Sequence, residues 1–553
     1  MNRFWLKSYP PGVPAEIDPA RLTSLAELLR QACTAYRDRP AYEQMGRIMT
    51  YAQLDEQTRD FAAWLQAIGM GKGDRIAIML PNTLQYPIAL FGALRAGLIV
   101  VNTNPLYTAR ELQHQLEDSG AAAILVLENF AHVVEEVAPH THLKKVLVTA
   151  AGDFLGFPKS VIVNHVVRRH RKQVPAWHIP GAMDFREALR AGRKLPLNPV
   201  DVGPEDIAFL QYTGGTTGVA KGAMLTHGNV SSNVLQAEAW LTGRSSDQPG
   251  VLITAIPLYH VFALTANCLL WAHLGWKNVL IINARDFPAV VKEMSKQPFE
   301  FFSGVNTLFN ALLNTPGFAS IDFSHLQVTL GGGMAVQESV AKRWKEVTGN
   351  ILTQAWGLTE TSPAATINPT TEEFNGSIGL PIPSSEIAIK DDQGQDLPLG
   401  QTGEICVRGP QVMRGYWNRP DETAKVMFPG GWLRTGDVGY MDERGFVFLQ
   451  DRKKDLILVS GFNVYPNEVE AVAATCPGVL ECAAVAQPDE HSGEVVALYV
   501  IPKDPKLTEH DVIEYCRKSL AGYKVPKHVY FRKELPKSNV GKILRKELRG
   551  NTA

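Results

Sequence analysis

The chain has 553 residues, 45% of them hydrophobic, with 55 Lys and Arg against 56 Asp and Glu, a formal net charge of −1. That length predicts about three or four packed units, and the charge balance excludes a nucleic-acid binder acting through a global positive field, though not a local basic patch. The six cysteines lack C-x-x-C spacing, which argues against a zinc site or disulfide scaffold and predicts buried, reduced thiols in a cytoplasmic protein.

Residues 1–11 (MNRFWLKSYPP) hold no apolar stretch of the signal-peptide kind. Residues 74–80 (DRIAIML), 97–102 (GLIVVN), 121–127 (AAAILVL) and 145–149 (KVLVT) read as buried strands. Helical spacing at 83–95 and 108–119 separates them, an alternation that predicts α/β units with largely parallel sheets. Residues 154–177 set Lys159, Arg168, Arg169, Arg171 and Lys172 beside apolar side chains. Such a stretch can lie on an anionic membrane surface; the plainer reading is a solvated basic helix.

A second α/β series begins near Ile207 and continues through 279–282, 301–304 and 328–330. The apolar run 251–276 is interrupted by Pro257, His260, Asn267 and His273, so it reads as buried core rather than a membrane span. After about Glu373 glycine and proline become dense and strands alternate, predicting an antiparallel β-rich unit of about 70 residues. The charged run DRKKD at 451–455 follows, and the domain boundary is set there. Residues 1–451 form the large body, two layered α/β units plus the β-rich unit. Residues 452–553 form a small, mobile α+β lid with helices at 467–475 and 508–520 and a strand at 494–501.

The sharpest local feature is YTGGTTGVAKG at 212–222. Gly214, Gly215 and Gly218 let a backbone curl round a phosphate with its N–H groups inward. Thr213, Thr216 and Thr217 add hydroxyls, and Lys221 adds a cation. Lys221 is followed by Gly222, so the Lys-Ser/Thr pair of a P-loop is absent. Downstream, WGLTET at 356–361 offers an aromatic face, a hydroxyl and the Glu360 carboxylate, which suits a hard cation. Gly332 and Gly333 allow close approach of a ligand to the backbone. Asp437 follows a tight turn and could accept ribose hydroxyls or merely cap. Lys542 sits in a short polar loop, and His260 lies among apolar residues, where a core histidine is the ordinary reading.

Together and in this order, YTGGTTGVAKGAMLTH, PLYHVF, GGGMAV, QAWGLTETSP, GEICVRGPQVMRGYWNRPDET, GWLRTGDVGYMDERGFVFLQDRKKDLILVSGFNVYPNEVE and PKSNVGKILRKELR resemble the adenylate-forming superfamily of acyl-CoA synthetases over essentially the whole chain. The stretches DRKKDLILVSGFNVYPNEVE and NTNPLYTARELQHQLEDSGA look most like the bacterial long-chain-fatty-acid–CoA ligases. The resemblance implies a carboxylate attacking the α-phosphate of Mg-ATP, then CoA thiol attacking the acyl-adenylate. Thr213, Gly214, Gly215, Thr216, Thr217, Gly218 and Lys221 would hold the β- and γ-phosphates, and Trp356 would stack on adenine beside Gly332 and Gly333. Thr359 would meet the α-phosphate, Glu360 with Thr213 would ligate Mg²⁺, and Asp437 and Arg452 would bind ribose. Lys542 would bridge the carboxylate and α-phosphate, His260 joins the catalytic candidates, and Lys454 would be the hinge of the lid.

Two departures stand out. The family's usual tyrosine is Trp356 here, which predicts a lost hydroxyl bond. The tryptophan gate of some long-chain members is Leu264 here. Val261, Phe262, Val305 and Leu308 are the expected tunnel lining. The partners implied are fatty acid, ATP and CoA, with no nucleic acid; a membrane surface on the inner face of the cytoplasmic membrane and a second copy of the chain are candidates. The alternatives are a medium-chain or aryl-acid CoA ligase, a fatty-acyl-AMP ligase serving a carrier protein and, from another class, a non-catalytic nucleotide-sensing scaffold.

Overall fold

The structure, a computed structural model, describes residues 3–213, 220–241 and 249–549. Its first sheet has eight strands. Six of them, Arg75–Met79, Ile99–Asn102, Ala123–Leu127, Lys145–Thr149, Met183–Asp184 and Ile207–Thr213, run parallel. Every residue of Ile99–Asn102 and Ala123–Leu127 is buried, as a parallel sheet covered on both faces requires. The intervening helices are Gln85–Arg95 and Ala109–Ser119. The second of these opens on a Thr108–Glu111 capping box and closes on Gly120, whose φ of 61° suits a glycine. Lys221–Thr226 and then Gly415–Tyr416 extend this sheet antiparallel, the latter arriving from nearly two hundred residues downstream.

The second sheet has nine strands. At its centre Val251–Thr254, Phe301–Gly304, Val328–Gly331 and Leu352–Gly357 lie parallel. One edge is an N-terminal hairpin, Pro40–Gln44 and Arg47–Thr50, which joins by parallel pairing with Lys277–Leu280. After Val251–Thr254 the apolar run becomes buried helical turns in which Leu264, Cys268, Leu269 and Trp271 are shielded from solvent. Among the described residues no helix is long and apolar enough to cross a membrane.

The β-rich unit is an antiparallel sheet of Glu386–Lys390, Gly403–Arg408, Trp432–Met441 and Met427–Phe428, with Val447–Arg452 paired to Trp432–Met441. The chain turns at residues 453–455 and enters a separate five-stranded sheet. Its long hairpin, Val479–Asp489 with Gly493–Pro502, packs against helices Pro466–Ala473 and Glu509–Arg517 round its own apolar cluster. All six cysteines are buried and unpaired with one another.

The 154–177 segment is less amphipathic than its sequence predicts. It forms helix Lys159–His165, extended by a wider turn over Val166–His170. Leu155 turns inward, Phe154 and Trp177 pack against the core, and Arg168 pairs at 2.8 Å with the buried Glu128. Phe157, Val161 and Ile162 remain exposed.

Candidate active site

Strands that run parallel leave their carboxyl ends open to a ligand. Here the ends of Phe301–Gly304, Val328–Gly331 and Leu352–Gly357 border a cavity of about 460 Å³, which Lys454 and Lys542 also line. Gly332 and Gly333 lie just past the second strand. A β-carbon on Gly332 would sit 3.2 Å from both the Ala355 carbonyl oxygen and the Phe262 ring, and Gly333 has a φ of +77°. The crowding disfavours a side chain at Gly332, and the left-handed backbone favours glycine at Gly333.

Trp356 lines this cavity with its indole N–H engaged. Nε1 donates to Asp437 Oδ2 at 2.8 Å. The bond expected to vanish with the missing tyrosine hydroxyl is thus replaced by one from the indole. Asp437 stands opposite Arg452 on the neighbouring strand, and Arg452 Nε lies 3.2 Å from Asp437 Oδ1. That contact lacks hydrogen-bond alignment, so Oδ1 is a buried acceptor with no hydrogen-bond donor among the described residues. Asp437 is buried and does not itself line the cavity, whereas Trp356 and Arg452, which it contacts, do.

Thr359 and Glu360 occupy a single tight turn, Thr359–Thr361, and both line the cavity. Tyr416 donates its hydroxyl to Glu360 Oε1 at 2.6 Å, and the Met413 N–H donates to the Glu360 carbonyl at 2.8 Å. Thr213 and Lys221 face each other across the ladder that joins strands Ile207–Thr213 and Lys221–Thr226. Gly214, Gly215, Thr216, Thr217 and Gly218 lie outside the described residues. Lys221 pairs with Glu422, and its ammonium sits 5.2 Å from the Tyr416 ring centre.

Lys542 enters from the lid. Its loop is closed by Ser538 N–H donating to the Lys542 carbonyl at 2.7 Å, and is fixed to the body by Thr307 Oγ1 donating to the Gly541 carbonyl at 2.9 Å. Burial, then the nearby Arg452 cation, push its ammonium down to about 7. Burial and the Lys542 charge push His260 down to about 4, so its imidazole is neutral near pH 7. Its Nδ1 accepts the Phe262 N–H at 3.3 Å, which leaves the proton on Nε2.

The run 451–455 is not uniformly exposed, as its charges predict. Lys453 and Lys454 are, but Asp451 is buried, accepting from Arg452 N–H and Asn467 N–H and pairing with Arg545 at 3.0 Å. Arg545 also meets Glu470 at 2.8 Å, so the lid is clasped to the last strand of the body. Lys454, exposed as a residue, lines the cavity, where partial desolvation and then the Arg452 cation lower its ammonium.

An apolar arm continues from the polar end. Phe301 and Val305, and Val328, Leu330 and Gly332, alternate along two neighbouring strands and line one face. Four residues of strand span roughly 13 Å. Ala237, Trp240 and Leu241, at and just past the end of helix His227–Trp240, form another wall. Val261, Phe262 and Val305 line the cavity as predicted. Leu308 does not: it belongs to a separate apolar cluster with Phe309 and Trp344. Leu264 is fully buried and does not line the cavity. Tyr416, Glu422, Trp240 and Thr435 were missed as site residues. Tyr416 and Glu422 both lie in the GEICVRGPQVMRGYWNRPDET run, which carried no role for either.

The sequence profile of the family described as AMP-binding enzyme matches residues 29–417, and that of the AMP-binding enzyme C-terminal domain matches residues 468–542. The long-chain-fatty-acid–CoA ligase of Escherichia coli O6:H1 is 54% identical over 551 residues, 99% of this chain and 98% of its own. That of Bacillus subtilis is 37% identical over 548 residues, 98% of this chain and 97% of its own. Among solved structures, ATP-bound MatB from Rhodopseudomonas palustris superposes with a TM-score of 0.82 at 27% identity, covering 95% of this chain and 98% of that one. The anthranilate CoA ligase AuaEII in complex with anthranoyl-AMP gives 0.86 at 23% identity over 96% of this chain and 98% of its own, a likeness of fold.

Proposed function

The chain belongs to the AMP-binding enzyme family, and we propose that it is a long-chain-fatty-acid–CoA ligase whose Lys542 joins fatty acid to ATP in one body-and-lid cavity. The fatty acid carboxylate attacks the α-phosphorus of ATP, releasing pyrophosphate. The CoA thiol then attacks the acyl carbonyl, releasing AMP. The observation that carries the reading is a single cavity with a polar end, a lysine from the lid and an apolar arm between strand and helix.

Trp356 stacks on the adenine beside Gly332 and Gly333, and Asp437 and Arg452 take the ribose. Thr213 and Lys221 meet the distal phosphates, with Gly214, Gly215, Thr216, Thr217 and Gly218 completing the loop, and Thr359 meets the α-phosphate. Glu360 and Thr213 supply the hard oxygen donors that suit Mg²⁺. Among the described residues no group of three or more His, Cys, Asp or Glu could hold a metal; Glu360 and Thr213 would hold the ion together with the nucleotide. Bound there, the ion neutralises phosphate charge.

Lys542 sits where two anions must approach. Burial and the Arg452 cation depress its ammonium, and a carboxylate and a phosphate beside it would favour the charged form. His260, neutral, offers Nε2–H to the substrate carboxylate without adding a cation. The protein thus works by positioning and by charge stabilisation rather than by covalent chemistry. The lid hinges at Lys454, in the turn 453–455, which frees the cavity mouth for CoA between half-reactions.

Contact with a membrane surface, the source of an insoluble substrate, fits exposed Phe157, Val161 and Ile162 beside Lys159, Arg169, Arg171 and Lys172, on the inner face of the cytoplasmic membrane. Flotation with anionic vesicles, lost on neutralising those four cations, tests it. The function itself is tested by pyrophosphate release over saturated acids of increasing length, with and without CoA. A rise through the long acids with CoA-dependent turnover supports the reading. Preference for short or aryl acids, or turnover indifferent to CoA, overturns it.

A further inference from the structure

Tyr416 makes contacts that nothing in its sequence surroundings announces. It ends the two-residue strand Gly415–Tyr416, which pairs with the strand carrying Lys221, in register with Ala223. Its N–H donates to Thr423 Oγ1 at 2.9 Å, so the backbone is held from both sides. The ring is buried under the Lys221 ammonium, 5.2 Å from its centre, while the hydroxyl reaches past it to Glu360 Oε1 at 2.6 Å. One side chain therefore spans the phosphate-facing lysine and the carboxylate that suits the cation.

The direction of the hydroxyl bond matters. A carboxylate oxygen can only accept, so at 2.6 Å the phenol hydroxyl is the donor. A donor on Oε1 fixes the carboxylate plane and leaves Oε2 as the open ligand. A free glutamate at the same place would lose side-chain entropy on capturing a cation, whereas a glutamate already oriented loses less. The backbone of Glu360 is held as well, by Met413 N–H on its carbonyl, so Tyr416 acts on the one remaining freedom, that of the side chain.

We propose that Tyr416 is the positioning residue that presents Glu360 to the divalent cation accompanying the nucleotide; this rests on the assignment of Glu360 to that cation. Tyr416→Phe keeps the ring beneath Lys221 and the packing, and deletes only the donor. The readout is calorimetric affinity for ATP, without fatty acid, in excess Mg²⁺ and again in EDTA. The ratio of the two dissociation constants measures how strongly the protein couples to the cation, and a loss of general packing leaves that ratio unmoved.

In Tyr416→Phe the coupling ratio should fall about tenfold, the effect of one hydrogen bond to a charged group, with affinity in EDTA unchanged. Glu360→Gln should abolish the coupling. If Glu360→Gln keeps the wild-type ratio, the cation assignment itself fails. If Glu360→Gln loses coupling while Tyr416→Phe retains it, or if Tyr416→Phe weakens ATP equally with and without Mg²⁺, the positioning role of Tyr416 is overturned and the cation assignment stands.

Discussion

The indole N–H of Trp356 donates to Asp437 Oδ2 at 2.8 Å, so the residue proposed to stack on the base also orients the acid proposed to hold the sugar. Oδ1 is thereby turned away, buried, and without a hydrogen-bond donor among the described residues. Trp356→Phe keeps a stacking face but frees Asp437. The expected outcome is a rise of about tenfold or more in the ATP dissociation constant, the range for a hydrogen bond to a charged group. The variant should also lose much of the preference for ATP over its dideoxy analogue. Affinity ratios for the two nucleotides check it; an unchanged ratio would detach Trp356 from ribose recognition.

The pH dependence follows from Lys542. Burial and the Arg452 cation push its ammonium down to about 7, below the ordinary lysine range, so raising the pH through about 7 removes the charge proposed to serve adenylation. For the free enzyme, kcat/KM for adenylation should fall on that basic side. Lys542→Arg, which stays charged, should flatten the limb whatever it does to the plateau. His260, near 4, is already neutral there, so His260→Ala should leave the limb in place. A pH profile of pyrophosphate release for the three proteins decides the matter.

The apolar arm makes a length prediction. Leu330 lies between Val328 and the glycines on one strand. Leu330→Trp should block the arm part way and shift preference to shorter acids. Each methylene excluded removes about 0.8 kcal/mol, roughly fourfold in kcat/KM. Competition between a long and a medium acid measures the shift; an unchanged profile would place the chain elsewhere.

How much of this could be seen beforehand depends on how local each signal is. Strand Ala123–Leu127 is an unbroken apolar run and Lys145–Thr149 carries Val146, Leu147 and Val148 between polar ends, both in a parallel sheet, so both composition and length announce them. The hairpin Pro40–Gln44 and Arg47–Thr50 went unread because its partner strand Lys277–Leu280 is over two hundred residues away. Glu360 and Lys542 gained roles only through the ordered set of motifs; taken alone, Lys542 reads as a solvated surface lysine. Tyr416 gained none, since its role exists only where a downstream strand is laid beside Lys221. Leu308 shows the limit of helical patterns: its apolar side chain could face either core, and packing with Trp344 decided it.

The lid clasp yields a prediction about motion. Asp451 on the body's last strand meets Arg545 and Asn467 of the lid, and the turn 453–455 lies between them. Lys454→Pro fixes the backbone where rotation is proposed. Thioester formation should drop steeply while adenylation survives. Separate assays of ATP–pyrophosphate exchange and of acyl-CoA release test this, and equal loss of both would remove the hinge from Lys454.

The most direct test of the account takes Lys542→Ala through the two half-reactions separately. ATP–pyrophosphate exchange with a long-chain acid should fall by about a hundredfold or more, the scale of losing one charge-stabilising group in a buried site. Conversion of preformed acyl-adenylate to the CoA thioester should remain within a few fold of the unsubstituted enzyme. Exchange preserved at the unsubstituted rate would contradict the claim that Lys542 brings carboxylate and α-phosphate together.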